Sequence, residues 1–289
     1  MAAVLLEGKT PAQRITAECA AAIAQVQQRY GVRPALCAIQ VGERPESERY
    51  VAQQRKLCQA ATIDYTLRQL PADSSEKMLQ ALIGELNARP DVNGIIVQMP
   101  LPAHLDNKRV TAFIDPAKDV EGVHSENLGK LILNRQSLAP CTACAVIELL
   151  TSTGMDLYGK EAVVVGHSEI VGKPVSLMLL NRYVTTSVCH IATSRRGLLA
   201  DHIRRAEILV VAVGKPQVIA GDWIREGAVV IDVGINCVAG KLVGDVEFIP
   251  AQERAAFITP VPGGVGPLTV AMLLRNVVIA TQAQLEPNA

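Results

Sequence analysis

The 289-residue chain has no excess charge of either sign, because 28 lysine and arginine residues balance 28 aspartate and glutamate residues. Without such an excess there is no overall electrostatic field to attract nucleic acid or an anionic membrane. We therefore expect a small-molecule partner, and neither a nucleic-acid nor a membrane partner.

The chain also lacks a regular cysteine framework. Its seven cysteines are odd in number and scattered, which is a poor disulfide pattern and favours a reducing cytoplasm. Cys141 and Cys144 form a C-x-x-C pair that could be redox-active or half of a metal site. Because no second pair accompanies them, we interpret them as structural residues.

Long apolar runs and a secretion signal are also missing. Residues 1–14 have no basic region before their short apolar run, and charges interrupt every apolar stretch before it reaches about 18 residues. We expect a soluble, cytoplasmic protein.

Short β-rich apolar runs alternate with helix-length segments, at 35–41, 94–100, 162–166, 187–192, 208–214 and 228–235. Runs that are apolar on both faces predict buried parallel strands, so the fold class is α/β. We place a first domain at 1–140 and a second, Rossmann-type domain at 141–267. The last helix, within 268–289, is expected to pack back on the first domain.

The segment after the strand at 162–166 is typical of a phosphate-binding turn. Gly166 ends the strand, a polar loop with His167 and Ser168 follows, and Gly172 opens a helix. Backbone N–H groups at such a turn can bind a phosphate. The spacing is not the G-x-G-x-x-G fingerprint, so a plain tight turn remains the alternative.

The end of the next strand lacks the acid that normally binds a ribose 2′-hydroxyl. The segment CHIATSRR instead contains Ile191, Arg195 and Arg196. The arginines could bind a 2′-phosphate or could form a solvated loop. The loops at 213–216 and 232–236 follow later strands and are expected to face the same crevice, because open α/β sheets bind ligands at the carboxyl ends of their strands.

The first domain supplies further polar candidates. Tyr50, Gln54 and Lys56 lie near one end of a predicted helix, and Gln98 ends a buried strand, where an amide needs hydrogen-bond partners or a ligand. Glu121 follows in KDVEG. Taken alone, Tyr50 would more often be a packing residue and Glu121 a solvated acid. The histidines show no metal-ligand spacing, so we expect no metal.

Together these segments resemble the methylenetetrahydrofolate dehydrogenase/cyclohydrolase family over nearly the whole chain. The matching segments are S-x-x-Y-V at 47–51, VQMPLPAHL at 97–105, KDVEG at 118–122, PCT at 140–142, VVVGHSEIVGKP at 163–174, VAVGKP at 211–216, VVIDVGIN at 229–236, KLVGDV at 241–246 and TPVPGGVGPLT at 259–269. The resemblance implies an N-terminal α/β folate-cleft domain, a C-terminal domain that binds NADP or NAD, and a homodimer. It also implies oxidation of methylenetetrahydrofolate to the methenyl cation by hydride transfer, followed by hydrolysis to formyltetrahydrofolate.

The resemblance further implies the site residues. The catalytic residues would be Tyr50, Gln54, Lys56, Gln98 and Glu121. Folate, a tetrahydrofolate derivative, would contact Tyr50, Val51, Gln98, Pro100, Glu121, Pro262 and Gly263. The dinucleotide would contact Gly166, His167, Ser168, Ile191, Arg195, Val213, Gly214, Ile235 and Thr269.

Departures from the family pattern bear on the reaction. Gln54 stands where the family has lysine, and Glu121 where it has aspartate. Hydrolysis needs proton transfer, which a lysine can perform and an amide cannot, whereas hydride transfer depends on positioning and electrostatics. We therefore predict a dehydrogenase with weak or absent cyclohydrolase activity. The alternatives are a folate-binding protein that transfers a one-carbon unit without net redox chemistry, and an inactive regulatory relative.

Further departures lie in the second domain. His167 replaces a usual arginine, CHIAT replaces CHSRT, and Ala143 and Ala145 replace a proline and a glycine. We favour NADP over NAD because of Arg195 and Arg196.

Overall fold

The structure is a computed structural model that describes residues 2–43, 45–135 and 138–286. The chain divides into two compact units. The first unit comprises Gln13–Cys141 and Val270–Ala289, and the second comprises Met1–Ala12 and Thr142–Thr269. The first residues of the chain therefore group with the second unit and not with residues 13–140. The reason is that strand β1 (Val4–Leu5) pairs with strand β11 (Phe257–Ile258) of that unit.

The first unit contains a three-stranded parallel sheet in the order β3–β2–β4. Its strands are β2 (Ala35–Val41), β3 (Asp64–Leu70) and β4 (Gly94–Val97). Its helices are α2 (Pro45–Ala60), α3 (Glu76–Ala88), α4 (Asn107–Thr111) and α5 (Ser125–Ile132), with most of α1 (Lys9–Tyr30) and α11 (Val265–Leu285).

Buried elements of the first unit have a recognisable apolar sequence pattern, and exposed ones do not. Strand β2 is buried along almost its whole length and matches the predicted run at 35–41. Strand β3 was not predicted, because it lies at the sheet edge and exposes alternate side chains. Helix α3 buries Leu79, Leu82, Ile83 and Leu86, which is the spacing of one helical face.

The second unit is built on a six-stranded parallel sheet in the order β6–β5–β7–β8–β11–β1. Its longer strands are β5 (Glu161–Val165), β7 (Ile208–Val211) and β8 (Val229–Asp232) in the interior of the sheet and β6 (Thr185–Cys189) at one edge. A hairpin is formed by β9 (Asn236–Val238) and β10 (Lys241–Val243), and the helices are α6 (Cys141–Ser152), α7 (Gly172–Leu180), α8 (Ile191–Arg195), α9 (Leu199–Arg205) and α10 (Phe248–Arg254). The predicted α/β class with a Rossmann-type parallel sheet is confirmed.

Both sheets contain a point at which the strand order reverses. In the second unit the chain runs from β5 outward to β6 and then returns to the other side of β5 as β7. In the first unit β2 is followed by β3 on one side and by β4 on the other. Ligands bind at the carboxyl ends of the strands at such a reversal, so each unit offers one crevice of this kind.

Helix α11 is the one helix in the described ranges that is long and apolar enough to cross a membrane by length and composition. However, 72% of its apolar window is buried inside the protein. It also carries a buried asparagine, Asn276, whose amide is hydrogen-bonded within the first unit. These features are those of a core helix.

Candidate active site

Gln98 lies at the carboxyl end of β4, at the strand reversal of the first unit. Its backbone N–H donates to the carbonyl of Ile39 at 2.8 Å, which extends the β2–β4 pairing by one residue. The side chain is buried, and its Nε2 donates to Oε1 of Gln54 at 2.9 Å. The hydrogen-bond partner expected for Gln98 is therefore the amide of Gln54.

Gln54 lies in α2 one helical turn after Tyr50, so the two side chains share a helix face. Gln54 is fully buried, and its Oε1 also accepts a hydrogen bond from the Tyr65 hydroxyl at 3.2 Å. Its Nε2 has no hydrogen-bond partner among the described residues. Burial raises the pKa of Tyr65, which keeps that hydroxyl protonated. Gln54, Gln98 and Tyr65 thus form a neutral group that exchanges no proton near neutral pH.

Glu121 lies in a tight loop that the buried Asp119 organises. The Asp119 carboxylate accepts hydrogen bonds from the backbone N–H groups of Gly122 at 3.1 Å and His124 at 2.7 Å. It also accepts one from the Asn127 side chain at 3.0 Å. Gly122 has a φ of 74° and packs against the Ala139 backbone, where a Cβ atom would collide. The loop conformation that presents Glu121 is therefore held from both sides.

The surroundings of Glu121 disfavour its charged form. Burial raises its pKa from 4.5 to about 7, and the nearby Asp119 adds to this effect. Burial also raises the pKa of Tyr50, with further contributions from Glu121 and Cys141. Tyr50, Glu121 and Cys141 therefore lie within electrostatic range of one another, and Tyr50 stays protonated.

The structure does not bring every predicted residue of the first unit to this cluster. Lys56 is exposed, and because it comes six residues after Tyr50 in α2 it lies on another side of the helix. Val51 is buried in α2, and Pro100 is exposed after a cis peptide bond with Met99. The side chain of Ser47, part of the S-x-x-Y-V match, lies outside the described part of the chain.

In the second unit the candidate nucleotide turn follows β5 at the strand reversal. Gly166 has a φ of 120° and packs so closely on the Ala212 carbonyl that a Cβ atom would collide with it. Gly172, at the start of α7, packs in the same way on the Gly166 carbonyl. The Ser168 hydroxyl accepts hydrogen bonds from the N–H groups of Val171 at 3.2 Å and Gly172 at 3.4 Å. Glycines make such a tight turn and close helix contact in dinucleotide-binding βα units, so the packing of Gly166 and Gly172 is that of a candidate nucleotide turn.

The carboxyl end of β6 carries histidine, isoleucine and arginine side chains and no acid, as the sequence predicts. His190 caps α8 by accepting a hydrogen bond from the Ala192 N–H at 3.3 Å, and its ring contacts that of exposed His167 edge-on at 5.3 Å between centroids. Ile191 and Arg195 lie in α8 and are exposed. Residues 189–196 include no acid, so this end of the sheet lacks the carboxylate that normally binds a free 2′-hydroxyl.

The remaining predicted residues follow β7, β8 and β11. Val213 and Gly214 lie in the loop after β7, one residue beyond its end, and Ile235 is exposed after β8. Pro262 and Gly263 lie in the exposed turn before α11, where the Gly263 carbonyl accepts a hydrogen bond from the Gly8 N–H at 2.9 Å. Thr269 is buried in α11, and its hydroxyl donates to the Val265 carbonyl.

Sequence reasoning missed several residues that hold these sites in place. Tyr65 lies on the unpredicted strand β3, and Asp119 was part of a quoted motif in which only Glu121 was singled out. Asn276 donates from Nδ2 to the carbonyls of Val120 at 2.8 Å and Ala139 at 2.9 Å. An asparagine in the middle of an apolar helix is a usable signal, because a buried amide needs partners.

The cysteines form no disulfide, and one of them lies close to the candidate site. All seven cysteines are free thiols, and buried Cys141 donates to the Val120 carbonyl at 3.3 Å. No three His, Cys, Asp or Glu side chains of the described residues come together as metal ligands.

A Rossmann-type sheet with a glycine-lined turn at its strand reversal defines a class, the NAD(P)-binding α/β proteins. The family follows from comparison with known proteins. Residues 6–121 match the catalytic domain of tetrahydrofolate dehydrogenase/cyclohydrolase, and residues 140–285 match its NAD(P)-binding domain. The chain belongs to this family.

Relatives and solved structures agree with this assignment. The chain is 47% identical over 281 residues to the bifunctional protein FolD 2 of Geobacter sulfurreducens, covering 97% of each chain. It resembles the FolD methylenetetrahydrofolate dehydrogenase/cyclohydrolase structure from Campylobacter jejuni with a TM-score of 0.93 and 40% identity, over 97% of this chain and 99% of that one. It resembles the Trypanosoma brucei enzyme, solved with NADP and an inhibitor, with a TM-score of 0.94 and 39% identity over 99% of both chains. The family and the NAD(P) cofactor that the resemblance implied are confirmed.

Proposed function

We propose that the chain is an NAD(P)-dependent 5,10-methylenetetrahydrofolate dehydrogenase whose cyclohydrolase activity is weak or absent. The observation that carries this proposal is the fully buried Gln54 amide, which accepts hydrogen bonds from Gln98 and Tyr65 beside Tyr50. An amide cannot gain or lose a proton in the accessible pH range.

The dehydrogenase half of the reaction needs no proton acceptor at this position. When bound, NAD(P)⁺ supplies the hydride acceptor, and the protein must position the folate and stabilise the positive charge that develops on it. In our proposal Tyr50 and Gln98 position the pterin, and the Glu121 carboxylate pairs with its amino and ring N–H groups. An ionised Glu121 also opposes the developing positive charge.

The hydrolytic half does need proton transfer, because a water molecule must lose a proton as it attacks and the departing ring nitrogen must gain one. Tyr50 stays protonated, since burial raises its pKa well above 10.0. Glu121 is engaged with the pterin in this proposal. Loss of general acid–base catalysis typically lowers a rate by ~10²–10⁴-fold, and we expect a deficit of this order in hydrolysis.

Methenyltetrahydrofolate hydrolysis by the wild-type protein and by Gln54→Lys tests the proposal. We expect a low wild-type rate that Gln54→Lys raises, because the new amine lies one turn from Tyr50. The matched control is Gln53→Lys, which adds the same charge at the exposed neighbouring position. Wild-type turnover comparable to that of an ordinary bifunctional relative would overturn the loss of cyclohydrolase activity.

The dehydrogenase is tested separately by the absorbance of reduced nicotinamide when the protein is mixed with methylenetetrahydrofolate and either cofactor. We expect a signal with both cofactors and a faster one with NADP, because Arg195 is exposed at the ribose end of the site. No signal at high enzyme concentration would remove the dehydrogenase and favour one-carbon transfer without redox chemistry or an inactive relative.

We further propose that the protein works in the cytoplasm as a homodimer and binds neither nucleic acid nor membranes. Zero net charge and the burial of most of α11 support the absence of nucleic-acid and membrane partners. The scattered free cysteines support a reducing cytoplasm, and the homodimer follows from the resemblance to the family. Light scattering of the purified protein gives the oligomeric state, and a monomeric mass would contradict the dimer.

A further inference from the structure

We infer that Asp245 is a positioning residue for the cofactor site, and that its buried carboxylate holds the loops at 213–215 and 233–236 in their binding conformation. This role depends on the proposed cofactor contacts of Val213, Gly214 and Ile235. The role of Asp245 differs from these proposed contacts, because Asp245 is fully buried and acts on the cofactor site only through the backbone of the two loops.

Four donors converge on the Asp245 carboxylate. Oδ2 accepts from the backbone N–H groups of Val213 at 2.7 Å and Gly214 at 2.9 Å. Oδ1 accepts from the N–H of Lys215 at 2.9 Å and from Nδ2 of Asn236 at 2.9 Å. One side chain therefore fixes three successive peptides after β7 and the loop after β8.

A second carboxylate, that of Asp232, links the segment containing Asp245 to β8 through hydrogen bonds. Asp232, the last residue of β8, accepts hydrogen bonds from the N–H groups of Gly234 at 2.9 Å, Asp245 at 3.1 Å and Val246 at 2.9 Å. Its own N–H donates to the Thr259 hydroxyl at 2.7 Å. The two carboxylates thus link the ends of β7 and β8 to the segment at 245–246.

Two glycines leave room for these carboxylates. A Cβ atom on Gly234 would collide with the Asp245 carboxylate, and one on Gly244 would collide with the Asp232 carboxylate. The DVGIN and VGDV segments therefore contain glycine where the two carboxylates need space.

The orientation of the peptides shows how Asp245 can affect a ligand that it does not touch. In a planar trans peptide the N–H and C=O groups point in opposite directions. Because the N–H groups of Gly214 and Lys215 point at Asp245, the carbonyls of Val213 and Gly214 point away from it. No donor in the described part of the chain occupies these two carbonyls. They are fixed acceptors for the hydroxyl or amide N–H donors of a nucleotide.

Asp245→Asn is the direct test, because it keeps the size of the side chain but replaces one acceptor oxygen with an NH₂ group. Two of the four donors would then face another donor, and the loop would lose its single conformation. We expect the dissociation constant for NADPH, measured by fluorescence titration, to rise about tenfold or more, because only part of the population is then competent to bind. Tetrahydrofolate binding, measured by anaerobic calorimetry, should stay within about twofold.

Gly234→Ala displaces the same carboxylate without changing it and should produce the same selective loss of NADPH affinity. The matched control is Asp156→Asn, the same chemical change at an exposed aspartate that accepts a hydrogen bond from the Tyr158 N–H. It should leave both dissociation constants unchanged. If Asp245→Asn and Gly234→Ala fold and bind NADPH as the wild type does, Asp245 has no positioning role.

Amide hydrogen exchange of the wild-type protein provides a second readout that does not depend on the folding of a variant. The amides of residues 213–215 should exchange slowly without cofactor, and more slowly still with NADPH. Exchange as fast as in an unstructured peptide would overturn the inference. A wild-type protein that shows protected amides but binds neither nicotinamide cofactor would instead contradict the proposed function.

Discussion

The protonation of Glu121 should make the stability of the protein depend on pH. Folding raises the pKa of this carboxyl group from its ordinary value of 4.5 to about 7. Between these two values the folded protein binds the proton more tightly than the unfolded chain. The free energy of unfolding must therefore fall as the pH rises from about 5 to 7. A shift of roughly 2.5 pH units corresponds to a loss of up to about 3 kcal/mol above pH 7.

Glu121→Gln removes this loss, because the amide stays neutral at every pH. We expect the variant to be more stable than the wild type by up to about 3 kcal/mol at pH 8. The gain should shrink to about 1 kcal/mol at pH 5, where the carboxyl is mostly protonated in the folded protein and only the unfolded chain, with a pKa near 4.5, is ionised. Urea unfolding followed by circular dichroism from pH 5 to pH 8 measures the difference.

The matched control is Glu126→Gln, at an exposed glutamate of α5 that pairs with Lys130 at 2.7 Å. The hydrogen bond from Lys130 lowers the pKa of Glu126, so its charged form is favoured in the folded protein and the substitution should not stabilise at pH 8. If Glu121→Gln gains no stability at pH 8, or gains the same amount at every pH, the reasoning about Glu121 is wrong.

Glu121→Gln should also lose dehydrogenase activity, although it gains stability. Without an ionised carboxylate near the developing cation, we expect the dehydrogenase kcat/KM to fall on the order of 10²-fold at pH 8. A carboxylate retained at a cost in stability is typical of a functional site.

Two further predictions concern α11 and the ribose end of the cofactor site. Asn276→Leu leaves the buried carbonyls of Val120 and Ala139 without their donor and should lower the free energy of unfolding by about 2–4 kcal/mol in urea titrations; a loss below about 0.5 kcal/mol would show that other groups satisfy them. Arg195→Ala should weaken NADP binding about tenfold in calorimetric titrations and leave NAD binding unchanged, because only NADP has the 2′-phosphate. Equal weakening of both cofactors would contradict this role.

Much of the fold was predictable because burial leaves a local mark on the sequence. Strand β2 and the central strands of the second unit are apolar on both faces, as strands covered by helices on both sides must be. Strand β3 exposes alternate residues at a sheet edge, and β1 and β11 have two residues each. These three strands leave no such mark, whereas the edge strand β6 was predicted in part, from the apolar run at 187–192.

The sequence by itself determined the family, the α/β class and the residue types available to the site, including Gln54 in place of an ionisable residue. Only the tertiary structure decided that this amide accepts hydrogen bonds from Tyr65 and Gln98, and that Lys56 lies on another side of the helix. It also decided the raised pKa of Glu121. The reason is physical: hydrogen-bond partners and desolvation depend on groups that folding brings together from distant parts of the chain.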